Sequence, residues 1–139
     1  DLGTVRVRRI VATHDVGRAI NPTLVEGQIE GGAAQGLGLA LMEEFFPGKG
    51  ENLHDYLIPT IGDMPPVDVI LIEDPSPVGP FGAKGVGEQS TIPTAPAILN
   101  AIYHAAGVRI RKVPATPDRV RAAILSARGA KFSPGDARA

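Results

Sequence analysis

Residues 21–45 read Asn-Pro-Thr-Leu-Val-Glu-Gly-Gln-Ile-Glu-Gly-Gly-Ala-Ala-Gln-Gly-Leu-Gly-Leu-Ala-Leu-Met-Glu-Glu-Phe. Asn21 is placed as an N-cap and Pro22 suits the first helical position, so a helix over about 22–45 is expected. It is an unusual helix, because Gly27, Gly31, Gly32, Gly36 and Gly38 all fall inside it. Each interior glycine costs ~1 kcal/mol relative to alanine. Such a segment becomes helical only where tertiary packing compensates, and glycines at i, i+4 spacing permit close approach. Gln28, Gly32, Gln35 and Gly36 share one face, which offers two amides and bare backbone. Leu37, Leu41 and Phe45 share another and read as core. Glu43 and Glu44 read as a solvated helix end.

Upstream, residues 4–13 alternate and are rich in β-branched side chains, which predicts a strand. Arg6, Arg8 and Arg9 read as the polar face of an edge strand, and His14-Asp15 ends it. Downstream, residues 47–66 carry several prolines and glycines and form a connector. Val67–Glu73 is the clearest strand. Residues 94–104 predict a helix stopped by Gly107, residues 108–113 a short strand, and residues 118–127 a last helix. The expected fold is α+β (mixed α/β): a small sheet, a long Gly-rich helix and two shorter ones. One domain over 1–127 and a flexible tail over 128–139 are expected.

The densest chemistry lies at residues 79–88, Gly-Pro-Phe-Gly-Ala-Lys-Gly-Val-Gly-Glu. Four glycines and a proline in ten residues fix an unusual backbone path. Consecutive N–H groups in such a loop can form a concavity for anions, and Glu88 on its rim is a candidate general base. The loop is not a P-loop, since Lys84 is followed by Gly85 rather than Ser or Thr. Gly82, Gly85 and Gly87 also lack the dinucleotide-binding spacing. The plain alternative is a surface turn with a capping glutamate.

Composition narrows the classes. The chain has 139 residues, net charge −1 and 43% hydrophobic residues. That charge is a poor footprint for nucleic acid. No apolar run approaches the ~20 residues that span a bilayer. With no cysteine in the sequence, disulfides, thiol catalysis and iron–sulfur ligation by this chain are excluded. His14, His54 and His104 are too far apart in sequence to form a metal-binding motif. The sequence starts at Asp1 with no visible signal peptide, so the natural start is expected upstream.

Three motifs in order, Gly17–Pro22, Val25–Gly38 and Gly82–Glu88, resemble the xanthine dehydrogenase/aldehyde oxidase family, in the C-terminal part of its molybdopterin-binding large subunit. The resemblance covers roughly residues 1–127. It implies a piece of a much longer subunit that holds molybdenum through molybdopterin, often as the cytosine dinucleotide, with no protein side chain on the metal. It implies that Glu88 is the catalytic base and that Gln28 contacts the cofactor. It also implies that the backbone of Lys84, Gly85, Val86 and Gly87 lies against the cofactor. The implied reaction is hydroxylation of a small-molecule substrate, an aldehyde or N-heterocycle. The implied partners are the remainder of the large subunit, iron–sulfur subunits and an FAD subunit. The isolated chain is then expected to be inactive. Cytoplasm is the expected compartment, with periplasm as the alternative. Two other readings are a non-catalytic orphan or assembly module and an unrelated anion-binding domain.

Overall fold

The computed structural model describes residues 2–130. Its elements are β1 (Ile10–Asp15), α1 (Pro22–Leu41), β2 (Val67–Ile72), α2 (Thr91–Ala106) and α3 (Pro117–Ala130), with a 3-10 turn at Pro80–Gly82. β1 and β2 pair in parallel, Ile10 opposite Val67 through Asp15 opposite Ile72. Parallel neighbours need a crossover, and α1 with the connector supplies it. The architecture is therefore small and mixed α/β, as the residue pattern predicts.

Two clusters hold it together. Leu37, Ala40, Ile98, Ile102, Ala115 and Val120 join α1, α2 and α3. Ala12, Val16 and Ile29 join β1 to α1, with Val67, Val69, Leu71 and Val86 packed around them. α1 begins as expected: Asn21 Oδ1 accepts from the Leu24 N–H at 3.2 Å and Pro22 follows. α2 ends as expected, with Gly107 at φ 70° and its N–H donating to Tyr103 O.

Four expectations are corrected. The first strand covers 10–15, not 4–13. Residues 4–9 do alternate, with Val5 and Val7 turned to the core. The phase slips at Arg8-Arg9, which are both exposed, before Ile10, Ala12 and His14 turn inward. Pairing with β2 starts only after that slip. Second, α1 stops at Leu41, where Gly38 O accepts from both Met42 N–H and Glu43 N–H. Phe45 lies beyond the helix and is exposed, so it is not core. Third, Glu43 and Glu44 are not a solvated helix end. Glu43 Oε2 accepts from the Tyr56 hydroxyl at 2.6 Å, and Glu44 pairs with Arg119. Fourth, residues 108–113 form no strand. Arg109 instead lies over the Tyr103 ring and donates to Asn100 Oδ1, which draws this segment onto α2. The last helix continues to Ala130, and the remainder of the expected tail lies outside the described residues.

Candidate functional site

The glycine loop is tied to the carboxyl ends of both strands. Gly82 O accepts from Arg18 N–H and Ser76 N–H, both at 2.9 Å. Lys84 N–H donates to Val16 O at 3.0 Å. Gly17 makes this approach possible: it adopts φ 66°, and a Cβ there would collide with Gly82 O. Phe81 holds φ 54°, an uncommon backbone for a bulky residue, of a kind that clusters at binding loops.

The Lys84 ammonium is engaged within the chain. It donates to Asp15 Oδ2 at 2.5 Å and to Asp74 Oδ2 at 3.3 Å. The Asp15 bond raises the Lys84 pKa above the ordinary lysine value. In return Lys84, joined by the Gly17 N–H, lowers the Asp15 carboxyl below the usual carboxylate value. The side chain of Lys84 thus braces the strand ends, while its peptide continues into the loop.

Past Lys84 the loop alternates. Val86 packs against the Ala12–Val16–Ile29 cluster, and Gly85 and Gly87 on either side are exposed. A Cβ added at either glycine would meet nothing within 4 Å. Glu88 is exposed, and its carbonyl accepts from Thr91 N–H and Ile92 N–H, which starts the turn leading into α2.

That turn rests on α1. The Ser90 hydroxyl donates to Gln28 O at 3.5 Å, and the Thr91 hydroxyl donates to Gln35 Oε1 at 3.1 Å. Gly32 and Gly36 are the contact surface, because a Cβ on them would collide with Ser90 and Thr94. The predicted face of Gln28, Gly32, Gln35 and Gly36 is therefore the face that meets α2. It brings Gln28 beside the segment carrying Glu88. Gly27 and Gly31, by contrast, face open space.

Sequence reasoning missed three residues here. Ser90 is buried beneath the turn, and its place just ahead of Thr91-Ile92-Pro93 was a readable helix-start signal. Asp15 lies 69 residues from Lys84, so no spacing could reveal their pairing. Gln89 Nε2 is enclosed without a hydrogen-bond partner among the described residues, a donor open to an outside acceptor. Among the described residues no group of three or more His, Cys, Asp or Glu could hold a metal ion. No helix there is long and apolar enough to cross a membrane.

A bare glycine-lined surface beside the exposed Glu88 carboxylate suits a ligand bearing several hydrogen-bond acceptors. The open space at Gly85 and Gly87 and the orphaned Gln89 amide fit a molybdopterin, whose phosphate and ring atoms accept hydrogen bonds.

Comparison with known proteins agrees. A molybdopterin cofactor-binding domain family matches residues 1–65. The chain is 40% identical over 122 residues to a xanthine dehydrogenase molybdenum-binding subunit of Escherichia coli O157:H7, covering 84% of this chain and 16% of that protein. It is 40% identical over 126 residues to the nicotine 6-hydroxylase large subunit of Paenarthrobacter nicotinovorans, covering 85% of this chain and 15% of that one. The aldehyde oxidoreductase structure from Desulfovibrio gigas superimposes with a TM-score of 0.86 at 40% identity, over 89% of this chain and 14% of that one. The chain therefore spans only a small part of the length of its relatives, which are oxidoreductases. With its motifs, fold and relatives in agreement, the chain belongs to the xanthine dehydrogenase/aldehyde oxidase family, within the molybdopterin-binding large subunit.

Proposed function

We propose that residues 1–127 form a cofactor-binding unit of a molybdenum hydroxylase and that Glu88 is the general base for hydroxylation of an aldehyde or N-heterocycle. The observation that carries this is the sorting of the glycines. Gly27, Gly31, Gly85 and Gly87 would meet no atom of this chain if given a side chain. Their bareness is not demanded by internal packing, and in α1 it costs helix stability. A ligand laid against both segments is the simplest reason for it.

In this reading the Lys84–Gly87 peptides and the Gln28 side chain hold the molybdopterin, in its cytosine dinucleotide form. When bound, the cofactor supplies the molybdenum centre that takes the electron pair from the substrate carbon. Glu88 accepts a proton from the oxygen that attacks that carbon, and its exposed position at the loop's end leaves it reachable. Lys84, already paired with Asp15 and Asp74, contributes its backbone rather than its charge. The remainder of the large subunit completes the cleft. Iron–sulfur and FAD subunits carry the electrons onward, and this chain alone gives no turnover.

The test is Glu88→Gln in the complete enzyme. Turnover is expected to fall by ~10²–10⁴-fold, with molybdenum and pterin content equal to the parent. Near-parental turnover in that variant would sink the assignment.

A further inference from the structure

Gly85 and Gly87 face open space, so the path of the loop there depends on its anchors. Toward α2 the anchors are Val86, packed in the Ala12–Val16–Ile29 cluster, and Glu88 O, which accepts from Thr91 N–H. Toward the sheet the last anchor is Lys84, and it is made twice. Its N–H donates to Val16 O at 3.0 Å. Its ammonium spans Asp15, at the end of β1, and Asp74, just past the end of β2. Asp15 is itself held, because its Oδ1 accepts from Gly17 N–H at 2.9 Å. One side chain therefore ties the loop to the ends of both strands.

Magnitude decides what such a tie is for. The side chains of Asp15, Lys84 and Asp74 are 43%, 33% and 79% exposed. Ion pairs this open to solvent add little to stability. Position is different, because reacting groups displaced by ~1 Å can lose ~10²-fold in rate. We propose that Asp15, Lys84 and Asp74 are positioning residues. They hold the Lys84–Glu88 segment, and with it the Glu88 carboxylate, in its working place. The proposal rests on reading Glu88 as the base. Asp15 is the principal partner, since its bond to Lys84 is the shorter and Gly17 fixes its carboxylate. A direct contact between the ammonium and an anionic ligand is the competing role. Two carboxylates around one ammonium leave no positive charge over, which disfavours it.

Lys84→Met and Asp15→Asn in the complete enzyme test this. An asparagine at position 15 can still accept from Gly17 N–H, so that variant removes only the ion pair. Both variants are expected to lower turnover per bound molybdenum by ~10–100-fold. Substrate KM and molybdenum content are expected to stay at the parental level. Lys84→Arg keeps the charge and is expected to recover most of the loss. Parental turnover in both variants overturns the proposal. So does a loss that merely follows lost molybdenum, or an equal loss in Lys84→Arg. A loss in Lys84→Met beside parental turnover in Asp15→Asn also overturns it, since the ammonium would then act on the ligand itself. Amide exchange at Arg18 and Ser76, both donors to Gly82 O, reads the attachment in the cofactor-free enzyme. It is expected to quicken by about 10-fold in Lys84→Met, and unchanged exchange overturns the tie. If Glu88→Gln turns over at the parental rate while these amides quicken, the base reading fails alone. If Glu88→Gln is inactive and Lys84→Met is parental, the positioning fails alone.

Discussion

Lys84 lies between the carboxylates of Asp15 and Asp74, and its N–H is committed to Val16 O. The bond that raises Lys84 also lowers Asp15, and the two shifts bound a pH window. Asp15 adds stability above the ordinary carboxylate pKa, and that contribution is lost as pH falls through its lowered folded value. Lys84 adds stability below the ordinary lysine pKa, and that is lost as pH rises through its raised folded value. The brace is therefore intact across neutral pH. Asp15→Asn is expected to unfold at a lower temperature than the parent at pH 7, and the gap should close in acid as pH falls through the lowered folded value of Asp15. Parallel melting curves over the whole range would show that the brace contributes nothing. The loop's irregular path was readable from its glycines. The brace was not, because its partners come from the ends of two strands that only the fold brings together.

In α1 the glycines divide by what they face. Gly32 and Gly36 admit Ser90 and Thr94, while Gly27 and Gly31 face open space. Alanine substitution should separate the two sets in the isolated chain. Gly31→Ala is expected to stabilise it by about 1 kcal/mol through helix propensity. Gly32→Ala is expected to destabilise it by about 1–3 kcal/mol through overpacking against Ser90. Chemical denaturation reads both, and equal effects of the same sign would refute the division. The start of α1 was legible because Asn21 and Pro22 act locally. Its end was not, because Glu43 and Glu44 are held by Tyr56 and Arg119, residues remote in sequence. Residues 108–113 misled for a similar reason: alternation predicts which way side chains turn, not whether a neighbouring strand exists.

Across the whole molecule, α1 and α2 stack through a glycine seam, and the sheet carries the loop at its carboxyl end. The order of elements was legible because each main segment has its own period or cap. The two-stranded sheet was not, since pairing is a property of what lies alongside.

The glycine seam also bears on how the chain reaches this state. Five glycines in α1 oppose its formation by about 5 kcal/mol together, relative to alanine. The compensating contacts come from α2, with Ser90 standing 62 residues beyond Gln28. A chain emerging from the ribosome N-terminus first must therefore hold residues 22–41 unstructured until α2 has also emerged. Nascent chains arrested before residue 90 are expected to be cut by protease within this segment, and longer ones that expose α2 to resist. Early resistance in the shorter chains would show that α1 stands without its partner.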